Sequence, residues 1–243
     1  MRKTIIIITD LYLYPIVFGN QRRIIELVKS LRKNEYKLIL ITTSAPTKNY
    51  NRSLRDFAAH FRNRFRNRLL FNRIINVISN RFNGHISEYD VSPLFPVVEE
   101  AVKKYNPVAV IAEYIWMAPC LDYVKNGAIK MIDTIDIWHV RKKMYGSLDP
   151  WCICTKKEEA DLLNKADVVI AIQKNEKKIF QKMVPSKKVI CVPHICKIGK
   201  RRKSGDSVFF VAGNNSANNA GIEKFLKESW PLIHKELPPY AEL

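Results

Sequence analysis

Thr4 to Thr42 reads TIIIITDLYLYPIVFGNQRRIIELVKSLRKNEYKLILIT. Its ends, Ile5–Thr9 and Leu38–Thr42, are short runs rich in β-branched residues. Runs that are apolar throughout are the pattern of strands covered on both faces. Between them, Gln21–Arg32 places its apolar residues at helical spacing. Strand, helix and strand in that order predict a parallel pair with a helical crossover.

The alternation continues along the chain. Further strands are predicted at Val108–Ala112, Lys130–Asp133, Val168–Ile172, Val189–Val192 and Val208–Val211. Helices are predicted at Leu54–Ser79, Pro96–Tyr105, Met117–Lys125, Pro150–Lys165, Asn175–Met183 and Asn218–Trp230. Repeated β and α imply an α/β fold, a parallel sheet with helices on both faces.

The composition agrees. The chain has 243 residues, 47% hydrophobic and 26% charged, which excludes wholesale disorder and allows a core without disulfides or metal. Lys and Arg total 41 against 23 Asp and Glu, a formal charge of +18 that points to anionic partners without choosing among them. Five cysteines, Cys120, Cys152, Cys154, Cys191 and Cys196, form an odd set suited to reduced thiols. The apolar run Ile5–Ile8 is too short for a signal peptide, and no stretch is long enough to span a bilayer. The expected address is cytoplasmic, with any membrane association peripheral, at the inner face of the cell membrane.

Two segments break the rhythm. Between Lys48 and Asn83 lie nine basic side chains and one acidic one, Asp56. Leu54, Phe57, Ala58, Phe61 and Phe65 share a helical face there, with Arg55, Arg62, Arg66 and Arg73 nearby. Such a helix suits an acidic bilayer surface or another polyanion, or packs on the core with a solvated basic edge. The second segment, Pro193 to Asp206, is basic and lacks apolar periodicity, so it reads as a linker. The expected organisation is a domain over 1–193, a linker over 194–206 and the start of an incomplete second domain over 207–243.

Open α/β sheets bind ligands at the C-terminal ends of their strands. After the first strand, Gly19 and Asn20 open a helix whose N-terminus, with Arg22, would favour an anion. The alternative is an ordinary turn. After Lys130–Asp133 come Asp136, Trp138, His139 and Arg141, which suit a sugar or phosphate, or else form a loop ion pair beside a packed Trp. Glu113 either anchors hydroxyls or caps the following helix, and Gln173–Glu176 reads as a helix start. The Cys and His spacings match no common zinc pattern, so no metal is expected. No nucleic-acid module is recognisable, so nucleic acid is not an expected partner.

In order, Asp10 to Thr42, Asn106 to Ile111, Asp133 to Arg141, Glu159 to Glu176 and Val208 to Phe225 with Trp230-Pro231 resemble the N-terminal half of GT-B glycosyltransferases of the family 4-like group. The resemblance implies a Rossmann-like domain on the acceptor side of a cleft, facing a second domain that binds a nucleotide-sugar. It implies metal-independent transfer, with retention, to a glycan or lipid-linked acceptor in polysaccharide biosynthesis. The nucleotide-sugar is a substrate, and no cofactor is implied. Gly19 and Asn20 would lie near the donor phosphates, and Asp136, His139 and Arg141 would line the cleft. Many relatives carry His where this chain has Ile135. Their second domain has an E-x7-E motif. The one such spacing here, Glu228 to Glu236, contains Pro231 and comes too early to serve. The expectation is therefore a chain lacking most of the donor domain, doubtfully active alone, with a separate C-terminal-domain chain as one candidate partner. The alternative is a non-enzymatic basic α/β domain on an anionic surface.

Overall fold

The computed structural model describes residues 2–11, 13–42, 59–62, 85–145, 153–195, 210–213 and 216–237. Seven parallel strands form one sheet: β1 (Thr4–Thr9), β2 (Lys37–Thr42), β3 (Ala59–Arg62), β4 (Ala109–Glu113), β5 (Ile129–Asp133), β6 (Val168–Ala171) and β7 (Lys188–Cys191). Their order across the sheet is β3-β2-β1-β4-β5-β6-β7. The chain winds outward from β1 in one direction, then restarts at β4 and winds outward in the other. The order therefore reverses between β1 and β4.

Six of the predicted strands stand within a residue or so of their predicted limits. Ile5 to Ile8 are all buried because both faces of the sheet are covered. Ile5, Ile7, Leu38, Leu40, Ala109 and Ile111 face helix α1 (Gly19–Lys33) and meet its Ile24, Ile25 and Val28. Ile6, Ile8, Ile39, Ile41, Val110 and Ala112 face the opposite side. There they meet α2 (Phe95–Tyr105) through Val98, Ala101 and Val102. Leu163 of α4 (Lys156–Leu163) and Phe180 of α5 (Lys174–Met183) extend that second layer. Alternation along each strand thus sorts one apolar run into two cores.

Four expectations need correction. The predicted helix Leu54–Ser79 is interrupted by β3, whose residues 59–62 pair in register with Ile39–Thr42. Ala59–Arg62 is therefore extended, not helical. Arg55, Phe57, Phe65, Arg66 and Arg73 lie outside the described residues. Residues 138–145, expected as loop, form helix α3 (Trp138–Tyr145). The expected helix Met117–Lys125 is instead a 3-10 segment, Ile115–Tyr123, with Pro119 inside it. Proline supplies no N–H for an i−4 bond.

The fourth lies near the C-terminus. Phe210 and Val211, expected in a strand, are outside any strand and exposed, while Val208 falls outside the described residues. A strand needs a neighbour for its backbone groups, and none of the seven takes these residues as a partner. Helix α6 (Ser216–Lys224) follows, then a π turn (Phe225–Ser229) and α7 (Trp230–His234). The π turn comes just before Pro231, whose ring crowds the carbonyl one turn back. Among the described residues, no helix is long and apolar enough to cross a membrane.

Candidate functional site

The reversal between β1 and β4 opens a crevice outside their C-terminal ends, where open α/β sheets take ligands. Asp10 leaves β1 there, and the indole Nε1–H of Trp116 donates to its Oδ2 at 3.1 Å. Tyr114 follows β4 with φ 74° and ψ 153°, a region almost reserved for glycine that costs about 1–3 kcal/mol. Two contacts hold it: its N–H donates to the Asp133 carbonyl at 2.9 Å, and its hydroxyl accepts from Asn20 Nδ2 at 2.6 Å. Burial pushes the Tyr114 phenol well up. Ile135, just past β5, also has positive φ.

The start of α1 is built against this wall. Gln21 is buried, and its Oε1 accepts from the N–H groups of Val17 and Phe18 at 2.7 and 2.8 Å, which fixes the approach to the helix. Asn20 Oδ1 accepts from the Gln21 N–H at 2.8 Å. Gly19 is exposed, and a Cβ there would meet nothing within 4 Å. The position opens onto free space. Arg22 is largely exposed, with a loose 3.8 Å pairing to Glu26.

Behind the wall lies a buried charge cluster. Arg23 Nε and Nη2 donate to the two oxygens of Asp133 at 2.8 and 2.9 Å, with both residues inside the protein. Glu113 pairs with Asp133 in the sheet register and is fully buried, yet among the described residues neither of its oxygens has a hydrogen-bond partner. Burial raises the Glu113 carboxyl far above its usual range, the Asp133 charge raises it further, and Arg23 offsets part of this. Burial also pushes Asp133 upward, but the Arg23 fork opposes it. Burial and the Asp133 charge thus favour the protonated form of Glu113, because Arg23 grips only Asp133. Glu113 therefore caps nothing, contrary to one of its expected roles. A shallow depression beside the pair is lined by Leu27, Ile170, Val192, Pro193 and Ile195.

The loop after β5 forms a second rim. Thr134 donates its hydroxyl to the Ile170 carbonyl at 2.9 Å and tethers the loop to β6. Helix α3 opens at Trp138 on a carboxylate from α4. Glu159, fully buried, accepts from the N–H groups of Trp138 and His139 at 3.0 Å each and lies 2.5 Å from His139 Nδ1. A carboxylate at a helix N-terminus satisfies unpaired N–H groups and suits the helix dipole. Trp138 is buried and gives its indole N–H to the Thr134 carbonyl at 3.1 Å. Arg141 pairs with Asp136 and lies over the Trp138 ring, 4.8 Å from its centroid. Trp138 meets Trp116 edge-on at 4.9 Å, so the two rims form one aromatic wall.

The predicted site residues thus separate. Gly19 and Asn20 stand at the crevice beside Tyr114, and Arg22 faces solvent on the next turn. Asp136, His139 and Arg141 share the second rim. Asp136 and Arg141 do form an ion pair and Trp138 is packed, although Arg141 lies on helix α3 and not in a loop, and Trp138 offers no free face to a sugar. Glu176 accepts from the Ile172 N–H at 3.0 Å, so Gln173–Glu176 is a helix start, as expected. Sequence reasoning missed Arg23, Asp133 and Tyr114 as structural partners, and Glu159 altogether. Only the carboxylate of Glu159 in an apolar helical pattern hinted at it.

No family model matches the chain, and no curated protein does. Solved structures do. UGT2 of Phytolacca americana, solved with UDP-2fluoro-glucose and pterostilbene, is similar over 85% of this chain and 59% of its own, at 11% identity and a TM-score of 0.52. Sucrose-phosphate synthase from Thermosynechococcus elongatus is similar over 79% of this chain and 48% of its own, at 12% identity and a TM-score of 0.53. These neighbours are GT-B glycosyltransferases, and the chain shares their Rossmann-like α/β fold. It spans about half the length of the structures it matches.

Proposed function

We infer that this chain is the acceptor-side domain of a nucleotide-sugar-dependent glycosyltransferase, family 4-like in the sequence motifs it resembles. The observation that carries the reading is the crevice at the β1–β4 reversal. There the N-terminus of α1 opens at Gly19 onto free space, beside a wall fixed by Asp10–Trp116 and Asn20–Tyr114. A helix N-terminus with room for a close backbone approach suits a diphosphate. The Asp136–Arg141 rim supplies carboxylate and guanidinium groups that suit hydroxyls.

The chemistry asked of this domain is positioning. Holding an acceptor hydroxyl against the anomeric carbon of a donor turns a bimolecular encounter into an oriented one. The donor is a nucleotide-sugar and the acceptor a glycan or a lipid-linked saccharide. Most of the donor's contacts come from a second, donor-side domain.

Amide hydrogen exchange tests the reading. The chain is incubated in turn with UDP-glucose, UDP-N-acetylglucosamine, GDP-mannose and a cello-oligosaccharide acceptor. Slowed exchange confined to residues 10–23, 113–116 and 133–141 is expected with at least one probe. Unchanged exchange in all three segments with every probe would contradict it.

A further inference from the structure

The end of the sheet opposite the crevice carries a basic surface that sugar transfer does not use. Backbone hydrogen bonds give the neighbours along this edge. The Lys37 N–H donates to the Lys3 carbonyl at 2.9 Å, Val108 to Thr4 at 2.8 Å, Ile129 to Val108 at 3.0 Å, Asp167 to Lys130 at 2.8 Å and Lys188 to Asp167 at 3.3 Å. From β2 across to β7 the edge therefore presents Lys37, Lys3, Val108, Ile129, Lys130 and Lys188. Helices α1 and α2 end on the same side, with Arg32 and Lys33 in one last turn and Lys103 and Lys104 in the other. Cations in a last turn complement the helix dipole, so those have a local reason. Lys3, Lys37 and Lys188 stand at strand starts, are exposed and have no such reason. The acidic side chains interspersed with them are largely engaged. Asp167 Oδ2 accepts the Lys130 N–H at 2.9 Å, Asp122 pairs with Lys165 at 2.5 Å, and Glu35 is exposed. The balance stays positive. In the middle of the edge Val108 and Ile129 lie side by side, 39% and 50% exposed.

The composition of this face selects its partner. Its charge is mostly lysine, a hydrated point charge that attracts an anionic surface without fixed geometry, whereas arginine forks serve phosphate and base recognition. Protein interfaces are depleted in lysine. Nucleic-acid platforms need open aromatic rings, but Tyr105 at the end of α2 is already engaged by Lys37 and Lys104, 5.1 and 5.5 Å from its centroid. Apolar side chains ringed by lysines match the boundary between acidic headgroups and acyl chains.

We propose that this edge docks the chain on a bilayer surface rich in anionic lipid. The lysines meet headgroup phosphates, and Val108 and Ile129 enter the headgroup layer. The crevice lies at the other end of the strands, about 20 Å away along the six residues of β1, so it stays open to water. None of these residues belongs to the basic stretch between Lys48 and Asn83. The proposal stands independently of the sugar-transfer reading.

Vesicle sedimentation of the full chain tests it, with vesicles of phosphatidylcholine alone or in equimolar mixture with phosphatidylglycerol. Two triple variants of equal net charge are compared. One carries Lys3→Glu, Lys103→Glu and Lys188→Glu on the edge. The other carries Lys174→Glu, Lys177→Glu and Lys178→Glu on α5, at the crevice end of the sheet. Wild type is expected to sediment with the mixed vesicles and not with the neutral ones. The edge variant should lose about 100-fold or more in partitioning, and the α5 variant should stay within about threefold of wild type. Val108→Ser with Ile129→Ser should lower partitioning about 10-fold and leave its salt dependence unchanged. If Lys188→Glu unfolds the edge strand, Lys3→Glu with Lys103→Glu makes the same comparison against Lys174→Glu with Lys177→Glu. No sedimentation of wild type with mixed vesicles, or equal losses in the edge and α5 variants, overturns the proposal. Tighter binding to a DNA duplex than to mixed vesicles at the same salt also overturns it, and assigns the face to nucleic acid.

Discussion

Glu113 is a carboxyl sealed in the sheet with no donor for either oxygen among the described residues, beside the ion pair of Arg23 and Asp133. Its proton affinity is raised by folding, so the folded chain binds that proton more tightly than the unfolded one. Stability from this group is complete below the ordinary carboxyl range and falls as pH rises above it, because the unfolded chain releases the proton first. Glu113→Gln removes that slope. Its advantage over wild type in urea unfolding should be smallest near pH 4 and grow as the pH rises above the ordinary carboxyl range, and a constant difference would contradict a raised Glu113. Asp133→Asn leaves a buried guanidinium half-paired and should cost about 3–5 kcal/mol in the same assay. Gly19 gives the opposite contrast. Ala there meets open space and favours the helix, so stability should rise by up to about 1 kcal/mol, while nucleotide-sugar binding weakens. Gly19 was legible as a loop residue before a helix. The Arg23–Asp133 pair was not, because it joins residues 110 positions apart.

The strands were the most legible elements, because runs such as Ile5–Ile8 and Val168–Ala171 are short, β-branched and closed by polar residues. The helices divided by where their stabilisation comes from. α4 announces itself locally: Thr155 accepts from the Glu158 N–H at 3.2 Å, and Glu158 accepts from the Thr155 N–H at 2.7 Å. Thr155→Ala should therefore cost about 1 kcal/mol in thermal or urea unfolding, and no measurable change would show that the box is not holding the helix. α3 gives no such signal. Its sequence, WHVRKKMY, has little apolar periodicity, and its N-terminal carboxylate is Glu159, about 20 residues away in another helix. Near β3 the signal was misleading, since Phe57, Phe61 and Phe65 at 3–4 spacing imitate a helix face, yet Ala59–Arg62 pairs along β2. Tertiary pairing overrides a local period when an edge strand is available to complete.

Across the whole sheet, the order β3-β2-β1-β4-β5-β6-β7 turns separate loops into one site. Asp10 and Tyr114 are far apart in sequence, but the reversal between β1 and β4 sets them at one crevice. β5 adds the Asp136–Arg141 rim beside it. The general location was legible, because strand C-termini can be listed once β–α alternation is seen. Which side chains close the wall was not, since Asp10–Trp116 and Asn20–Tyr114 depend on three-dimensional neighbours. The charge of +18 fits anionic substrates, and the fold it accompanies is shared with sugar transferases that act from nucleotide donors. The most direct measurement is titration calorimetry of the chain with each of UDP-glucose, UDP-N-acetylglucosamine and GDP-mannose. The account predicts binding of at least one of them, weakened when Gly19→Val fills the open space at α1. Binding of none of the three, or binding undiminished by Gly19→Val, would contradict it.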